Sequence, residues 1–388
     1  MLPFANLSND PAQDYFADGV TENLTTDLSR IRGSFVIAHN TAFTFKGKAI
    51  DAKEIGKELG VRYVLEGSVQ RDQNRARVNA QLIDAQSGAH LWAERFEEDV
   101  ADLFKLQDQV VARVGNSLGY ELIKAEAETG AHSKNPDVID FVMRGNAAIW
   151  RFAQQPTKDN NIAIRALFEQ ALKIDPNDAG ALAGDAQTYF LDKTYGWANP
   201  ETAYDAKILG QADRSIALAR DDARPYFVKS QYLKDLHRLD EALRAAEAGL
   251  AVSPNSAHML ATRAITEIYI GNFEQGKTDV QQAMRLSPRD PSLGRWHNYM
   301  ADAELGLGHF EAVIEESSKA IDAGYKVFFS YLNLAAARAF KGGIDEAKAA
   351  LAEARRRNPK LSVKWLTGRK PILQPWFDAL RKAGLPEE

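Results

Sequence analysis

The 388-residue chain contains no cysteine. This composition excludes disulfides, thiolate catalysis, zinc–thiolate sites and iron–sulfur clusters, and it fits a reducing compartment, so we expect a cytoplasmic protein. The chain also lacks an apolar run of the ~18 residues that a spanning helix requires, so we expect no membrane partner. Its first residues, MLPFANLSNDPAQD, carry neither a cationic segment nor an apolar one, and therefore do not predict a signal peptide.

Catalytic signatures are missing as well. The sequence has no GxxxxGK[ST] phosphate loop, no GxGxxG after a strand and no GxSxG nucleophile motif, and its seven histidines show no HExxH spacing. We therefore expect no catalytic residues, no cofactor-binding residues, no cofactor and no metal ligands, and the chain is interpreted as not being an enzyme. A net charge of −5 argues against nucleic acid as a partner.

Residues 1–128 alternate between strand and helix patterns, and the net negative charge of the chain lies in this part, with a net charge of −6 over residues 1–130. Alternating apolar residues predict strands, and apolar residues spaced by three and four predict amphipathic helices. The predicted order is β-α-β-α-β-β-β-α, an α/β domain with a mixed sheet. The segments are Leu2–Leu7, Gln13–Ile31, Ser34–Ala38, Asp51–Gly60, Val61–Gln70, Ala76–Leu82, Ala89–Phe96 and Asp102–Leu122.

Glycine and acidic residues in ADGVTENL and VLEGSV admit two interpretations. They could form a ligand site that includes Glu22 and Glu66. Alternatively, Gly67 marks a bulge or a close approach of two backbones, while Glu66 faces solvent. The structural alternative is favoured, because the fold by itself does not establish a site.

Segments such as YFADGVTENLTTDLSRI, FVIAHNTAFTFKGKAIDAKEIGKELGVRYVLEGSVQR and RVNAQLIDAQSGAHLWAERFEEDVADLF resemble the TolB-like N-terminal domain of bacterial signalling proteins. The resemblance is nearly continuous over residues 2–118. It implies a module between an N-terminal effector, either a class III adenylate cyclase domain or a winged-helix DNA-binding domain, and a tetratricopeptide array. Only Met1-Leu2-Pro3-Phe4 remains of the family's first strand, so we expect either a start codon inside a longer product or a trimmed relative.

The second half of the sequence is repetitive. Four similar units begin at Leu239, Phe273, Phe310 and Ile344, at intervals of 34, 37 and 34 residues. A proline follows 15 residues after three of these positions, and Tyr325 follows the other. Small residues recur in register, for example Ala264, Gly276 and Ala283. Such a unit predicts a helix–turn–helix with closely packed helices and resembles the tetratricopeptide repeat (TPR).

The predicted domain organisation has four parts. Residues 1–128 form the TolB-like α/β domain, 129–136 a linker, 137–370 about six TPR-like helix pairs in an all-α superhelical solenoid, and 371–388 a C-terminal capping helix and tail. Two further helix pairs precede the four clear units, with an insertion near residues 194–202.

The resemblance implies that the array binds a protein or peptide ligand in its groove, through side chains of the first helix of each pair. By register, the predicted groove residues are Arg224, Gln231, Lys234, His258, Arg295, Asn298 and Asp302. Their charge favours an acidic ligand, and the acidic N-terminal domain of the same chain is itself a candidate for an intramolecular contact.

Three functional hypotheses remain open. The leading hypothesis is a non-catalytic regulatory and interaction protein in bacterial signalling. A second is the regulatory C-terminal part of a class III adenylate cyclase whose catalytic domain is missing from this chain, and a third, weaker one is the sensor half of a winged-helix transcription regulator. The genomic reading frame upstream of Met1 would separate them.

Overall fold

The structure is a computed structural model of the chain, and it describes residues 1–8, 10–30, 35–72, 74–118, 133, 135–152, 156–367 and 374–388. The described residues form two compact units. The first unit comprises Met1–Leu236 and Glu247–Ser256, and the second comprises His237–Ala246 and Ala257–Glu388. Parts of the predicted linker (129–132 and 134) and the ends of two predicted segments (31 and 119–122) lie outside the described residues.

The α/β module, residues 1–118, opens the first unit. Its strands are β1 (Ala5–Asn6), β2 (Tyr63–Asp72), β3 (Arg75–Asp84) and β4 (His90–Asp99). Its helices are α1 (Asp14–Ser29), α2 (His39–Phe43), α3 (Ala52–Leu59) and α4 (Leu103–Leu118), with short 3₁₀ turns at Pro11–Gln13 and Val100–Asp102. The side chain of Asp51 caps α3 by accepting from the Lys53 amide, and Gly60 ends this helix in the left-handed region at φ 63°.

The sheet has the order β1-β2-β3-β4 and is mixed. Strand β1 pairs with β2 in parallel, while β2–β3 and β3–β4 are antiparallel, and the β3–β4 register shifts at Leu82/Ile83. The prediction of a strand at Ser34–Ala38 is wrong for the described part, residues 35–38. This part is not a strand of the sheet, and α2 follows it directly. Val36 of this segment packs against the module core and Ile37 is buried, whereas Phe35 is exposed.

The module core continues into the first helix of the array. Phe16, Val20 and Leu24 of α1 belong to the same buried cluster as Ile139 and Met143 of α5 (Pro136–Phe152). Gly19 permits this approach, because a Cβ at that position would lie 2.5 Å from Met143 Cε. The α/β module and α5 therefore share one hydrophobic core.

The remaining helices of the first unit stack in chain order. They are α6 (Lys158–Ile174), α7 (Ala179–Thr194), α8 (Gln211–Leu218), which a π-helical turn at Ala206–Gly210 precedes, and α9 (Ala223–Asp235). The division between the units runs through α10 (Leu239–Val252). Phe168 of α6 is fully buried, and its ring tip meets Gly145 of α5 and Gly184 of α7.

The second unit continues the pattern. Its helices are α11 (Ala257–Ile270), α12 (Phe273–Leu286), α13 (Leu293–Gly306), α14 (Phe310–Asp322), α15 (Phe328–Phe340), α16 (Ile344–Arg357), α17 (Val363–Thr367) and α18 (Gln374–Lys382). The four residues predicted to begin repeat units are the first residues of α10, α12, α14 and α16. Gly276 lets α12 approach α11, because a Cβ there would lie 2.5 Å from Ile268 Cγ1.

Helix α18 covers the last pair. Trp376, Phe377 and Leu380 are buried in the same cluster as Leu351 of α16. Of the helices in the described residues, none combines the length and the apolar character needed to traverse a bilayer.

Candidate protein-binding surface

The first helices of successive pairs lie side by side in each unit, and we call the surface they form the first-helix face. In the first unit it comprises α5, α7 and α9, and in the second α11, α13 and α15. The first unit brings its three helices together around Gly180 of α7. A Cβ there would lie 3.2 Å from Val142 of α5 and 3.6 Å from Arg224 of α9. The groove residues predicted from the sequence are distributed over both units.

Arg224 lies at the start of α9 and is committed to an ion pair. Its Nε is 3.0 Å from both carboxylate oxygens of Asp222, and its Nη2 is 2.7 Å from Oδ2 of the same residue. Burial acts to lower the pKa of Arg224, but the charge and hydrogen bonds of Asp222, helped by Glu22, outweigh it, so the pKa is raised. Arg224 therefore stays a cation that faces the α/β module.

The other two predicted residues of α9 are largely enclosed. Gln231 is 8% exposed. The Lys234 side chain is 14% exposed, and its Nζ lies 2.5 Å from Oδ1 of Asp235. These two side chains present less surface to a ligand than their helical register suggests.

In the second unit, Arg295 and His258 keep exposed surface. Arg295 of α13 is exposed. The His258 side chain on α11 is 43% exposed, its Nε2 lies 3.5 Å from Oδ2 of the buried Asp290, and its ring packs edge-on against buried Trp296. Both positions can contact a ligand without rearrangement of the helices.

Asn298 and Asp302 instead link α13 to α15. The Ser330 hydroxyl donates to Asn298 Oδ1 at 3.0 Å, and Asn333 Nδ2 donates to Asp302 Oδ1 at 2.8 Å. Asn298 Nδ2 lies 3.4 Å from Asp302 Oδ2. Both residues are at most 7% exposed. Their hydrogen bonds fix the spacing of two first helices, since a buried polar group without a partner is costly.

Sequence reasoning did not identify Ser330 and Asn333. They lie 32 and 31 residues beyond Asn298 and Asp302 respectively, close to one repeat length. A search for polar residues one repeat apart on first helices would have indicated this pairing. Register assigns a residue to a helix, but not to its partner on the next helix.

Helix α1 of the module lies against the first-helix face of the first unit. At its start, the Tyr15 hydroxyl donates to Asp140 of α5, which also accepts from Arg71 at 2.6 Å and from Arg144 at 2.8 Å. Burial and the hydrogen bond to Asp140 raise the pKa of Tyr15. At its end, the Ser29 and Ser253 hydroxyl oxygens are 3.1 Å apart.

Apart from the first-helix face, a concavity of about 910 Å³ lies over the outer face of the sheet in the α/β module. Its polar side chains pair with one another: Gln81 donates to Glu66 at 2.6 Å, and Arg95 donates to Asn79 at 3.0 Å. A Cβ at Gly67 would lie 2.2 Å from the Asn79 carbonyl oxygen, so this glycine permits a close backbone approach. These contacts support the structural interpretation of Glu66 and Gly67. In the described part of the chain, histidine and carboxylate side chains form no group of three placed to hold a metal.

No family model matches the chain. A Rhizobium meliloti (strain 1021) protein named "Putative adenylate cyclase 3" is 40% identical over 250 residues, which are 63% of this chain and 41% of that protein. A Dictyostelium discoideum protein named "Protein STIP1 homolog" is 31% identical over 121 residues, which are 31% of this chain and 18% of that protein. The chain thus spans less than half the length of these curated relatives.

Among solved structures, the chain is similar to one from the crystal structure of the APC/C hetero-tetramer Cut9-Hcn1. The TM-score is 0.50 and the identity 13%, over 64% of this chain and 43% of that one. Cut9 is a tetratricopeptide-repeat protein. The helical part of this chain therefore has a TPR-like solenoid fold.

Proposed function

We propose that the chain is a non-catalytic regulatory and interaction protein of bacterial signalling, which binds a protein or peptide on its first-helix face. The observation that carries this proposal is the TPR-like stacking of helix pairs, which leaves Arg295 and part of His258 exposed on that face. Stacked repeats of this kind create extended surfaces on which such exposed side chains can contact a ligand. The cytoplasm remains our proposed location, and no cofactor or nucleic acid enters this function.

The domain organisation is part of the proposal. We assign residues 1–128 to a TolB-like domain, 129–136 to a linker, 137–370 to the repeats and 371–388 to the cap. The resemblance of the sequence supports the TolB-like assignment, and the mixed sheet of β1–β4 with its packed helices is compatible with it.

The proposed ligand is an acidic segment of a protein. Arg295 supplies an exposed cation, and His258 adds a second one when it is protonated. The remaining predicted groove residues, Arg224, Gln231, Lys234, Asn298 and Asp302, would shape and space the face. Charge of this kind guides association and orientation more than it sets affinity.

Site-specific photocross-linking in the native host tests the proposal. Benzoylphenylalanine replaces His258 on the first-helix face or, as the control, the exposed Gln282 on second helix α12. We expect an adduct from position 258 and none from position 282. Arg295→Glu should reduce the adduct from position 258 about tenfold, which corresponds to about 1.4 kcal/mol of binding. Arg285→Glu on α12 should leave that adduct unchanged. Equal adducts from positions 258 and 282 would overturn the proposal.

A second candidate function is the regulatory part of a class III adenylate cyclase. The 40% identity to a protein named as an adenylate cyclase favours it, together with the 59% of that protein that lies outside the match. Reading the genomic frame upstream of Met1 tests this candidate. A cyclase-encoding frame in continuity with the chain would support it, and an in-frame stop codon close upstream would remove it. The 388-residue chain alone is expected to form no cyclic AMP from ATP with Mg²⁺ or Mn²⁺.

A further inference from the structure

Helix α1 packs on α5, the first helix of the array, and its C-terminal end reaches the turns before α9 and α11. Its residues meet successive elements of the array. Tyr15 contacts Asp140 of α5, Glu22 lies near Arg224 of α9, and Ser29 reaches the turn that precedes α11. Sixteen residues of helix span about 24 Å, enough to cross several neighbouring helices.

The two ends of this contact differ in chemistry. Toward α5 it is apolar, because Ile139 and Met143 complete the core of the module. Toward α9 and the turn after α10 it is polar. There Arg30 Nη1 lies 3.3 Å from Asp221 Oδ2, and Asn255 Nδ2 donates to the Ser29 carbonyl oxygen at 2.9 Å. We call this polar end the seam.

Among the residues that the structure describes, the seam has more carboxylates than cations. The carboxylates of Glu22, Asp27, Asp108, Asp221 and Asp222 lie around the guanidinium groups of Arg30 and Arg224, and Asp178 also acts on Arg224. Burial raises the pKa of Glu22, Asp27 and Asp108, that of Asp27 to about 6. Like charges held together in a partly buried contact repel one another, so closure of the seam carries an electrostatic penalty.

We propose that α1 is a displaceable element of the first unit, whose seam end opens and closes. This opening does not rest on the proposed function. Undocking separates Glu22 from Arg224, which keeps its ion pair with Asp222. The apolar contact with α5 keeps the module attached at the other end.

The direction of the pH dependence follows from the carboxylates. Asp27 faces Arg30 at the end of α1, Asp108 on α4, and Asp221 and Asp222 of the turn before α9. Its pKa is about 6 in the closed seam, against an ordinary 3.8, so closure favours the protonated form. Raising the pH from about 5.5 to about 7.5 ionises Asp27 and should increase the open population about fourfold through this group alone.

Thiol modification measures the opening directly, since the natural chain contains no cysteine. Ser253→Cys places a reporter under α1, where the serine is 3% exposed. Ser215→Cys is the matched control, a fully buried serine of α8 whose hydroxyl donates to the Ala179 carbonyl at 2.8 Å within the helix stack rather than to α1. Reactivity of the full chain is normalised to free cysteine at each pH.

We expect the thiol introduced at position 253 to react at least about tenfold faster than the thiol introduced at position 215 when both are measured near pH 7.5. The reason is that local opening requires less free energy than opening of the helix stack. The normalised rate at position 253 should rise about fourfold from about pH 5.5 to about pH 7.5. Equal rates at the two positions, or a rate at position 253 that does not rise with pH, would overturn the proposal.

A disulfide provides a second measurement should the Ser253→Cys variant be perturbed. Ser29→Cys with Ser253→Cys joins positions whose hydroxyl oxygens are 3.1 Å apart. Oxidation should slow amide hydrogen exchange at residues 219–224 at least about tenfold and leave α12 and α14 unchanged. No difference between the oxidised and reduced forms would refute a displaceable α1. Because neither measurement involves a partner, their failure is distinct from a failure to find cross-linked protein.

Discussion

The packing of Phe168 against two glycines leaves no room for a side chain at Gly184. A Cβ at residue 184 would lie 2.2 Å from Phe168 Cε1 and 2.3 Å from Cζ, where ordinary contacts begin at 3.4 Å. Gly145 meets the same two ring atoms from α5, which limits a shift of the ring on that side. Gly184→Val should therefore destabilise the chain by about 2 kcal/mol, the typical penalty for an overpacked core. In a unit of this size that corresponds to a fall in Tm of about 4–8 °C.

Urea unfolding and thermal melting followed by circular dichroism measure this effect. Gly210→Val is the control, since a Cβ at Gly210 would have no atom within 4 Å, and we expect a change within about 0.5 kcal/mol. In a Phe168→Leu background, which removes the ring tip, Gly184→Val should become close to neutral. Equal effects at positions 184 and 210, or an unchanged penalty after Phe168→Leu, would refute the reasoning.

Three further predictions concern both units. Burial raises the pKa of Asp185 to about 6, so the folded protein favours the protonated carboxyl group and loses stability as the pH rises from about 4 to 6. Asp185→Asn should therefore stabilise the chain by about 2–3 kcal/mol at about pH 7.5 but by only about 1 kcal/mol at about pH 4.5. An equal gain at both pH values in urea titrations would contradict this. Ser330→Ala removes the hydrogen-bond donor to Asn298 and should destabilise the chain by about 1 kcal/mol in the same titrations. Ser318→Ala on α14 loses only a hydrogen bond to the preceding turn of its own helix and should destabilise the chain less. A larger loss of stability from Ser318→Ala would be inconsistent with a linking role of Ser330. Phe377→Ala uncovers the last helix pair, α15 and α16, and should destabilise it by about 3–5 kcal/mol. Amide hydrogen exchange in these two helices should become faster. Unchanged exchange there would show that α18 is not a cap.

Periodicity predicted the repeats well because it reports on packing that recurs. Leu239, Phe273, Phe310 and Ile344 each begin a helix, and the small residues at Ala264, Gly276 and Ala283 are buried as expected. The segment 34–38 misled the prediction because a short apolar run fits a buried strand and a packed connection equally well. Sequence spacing cannot decide between these two structures when no helical or alternating period is long enough to count.

The candidate site was less accessible to sequence reasoning. Register identified first-helix positions, yet it could not show that Asn298 and Asp302 hydrogen bond to α15 while Arg295 remains exposed. The expected contact between the acidic N-terminal domain and the array rested on net charge. In the structure, α1 contacts the helices of the array through an apolar core at α5 and through the carboxylate-rich seam. Net charge alone does not predict this distribution of contacts.

Hydroxyl-radical footprinting with the protein recovered by cross-linking tests the central claim most directly. If the first-helix face is the binding surface, the partner should protect His258 of α11 and Tyr299 of α13 from oxidation. It should leave Phe340 unchanged, since this residue is 38% exposed at the end of α15 and stacks on Phe310 of the second helix α14. Tyr299 lies one turn beyond Arg295 on the same side of its helix and shares its face. Protection of Phe340 without protection of His258 and Tyr299 would contradict the account.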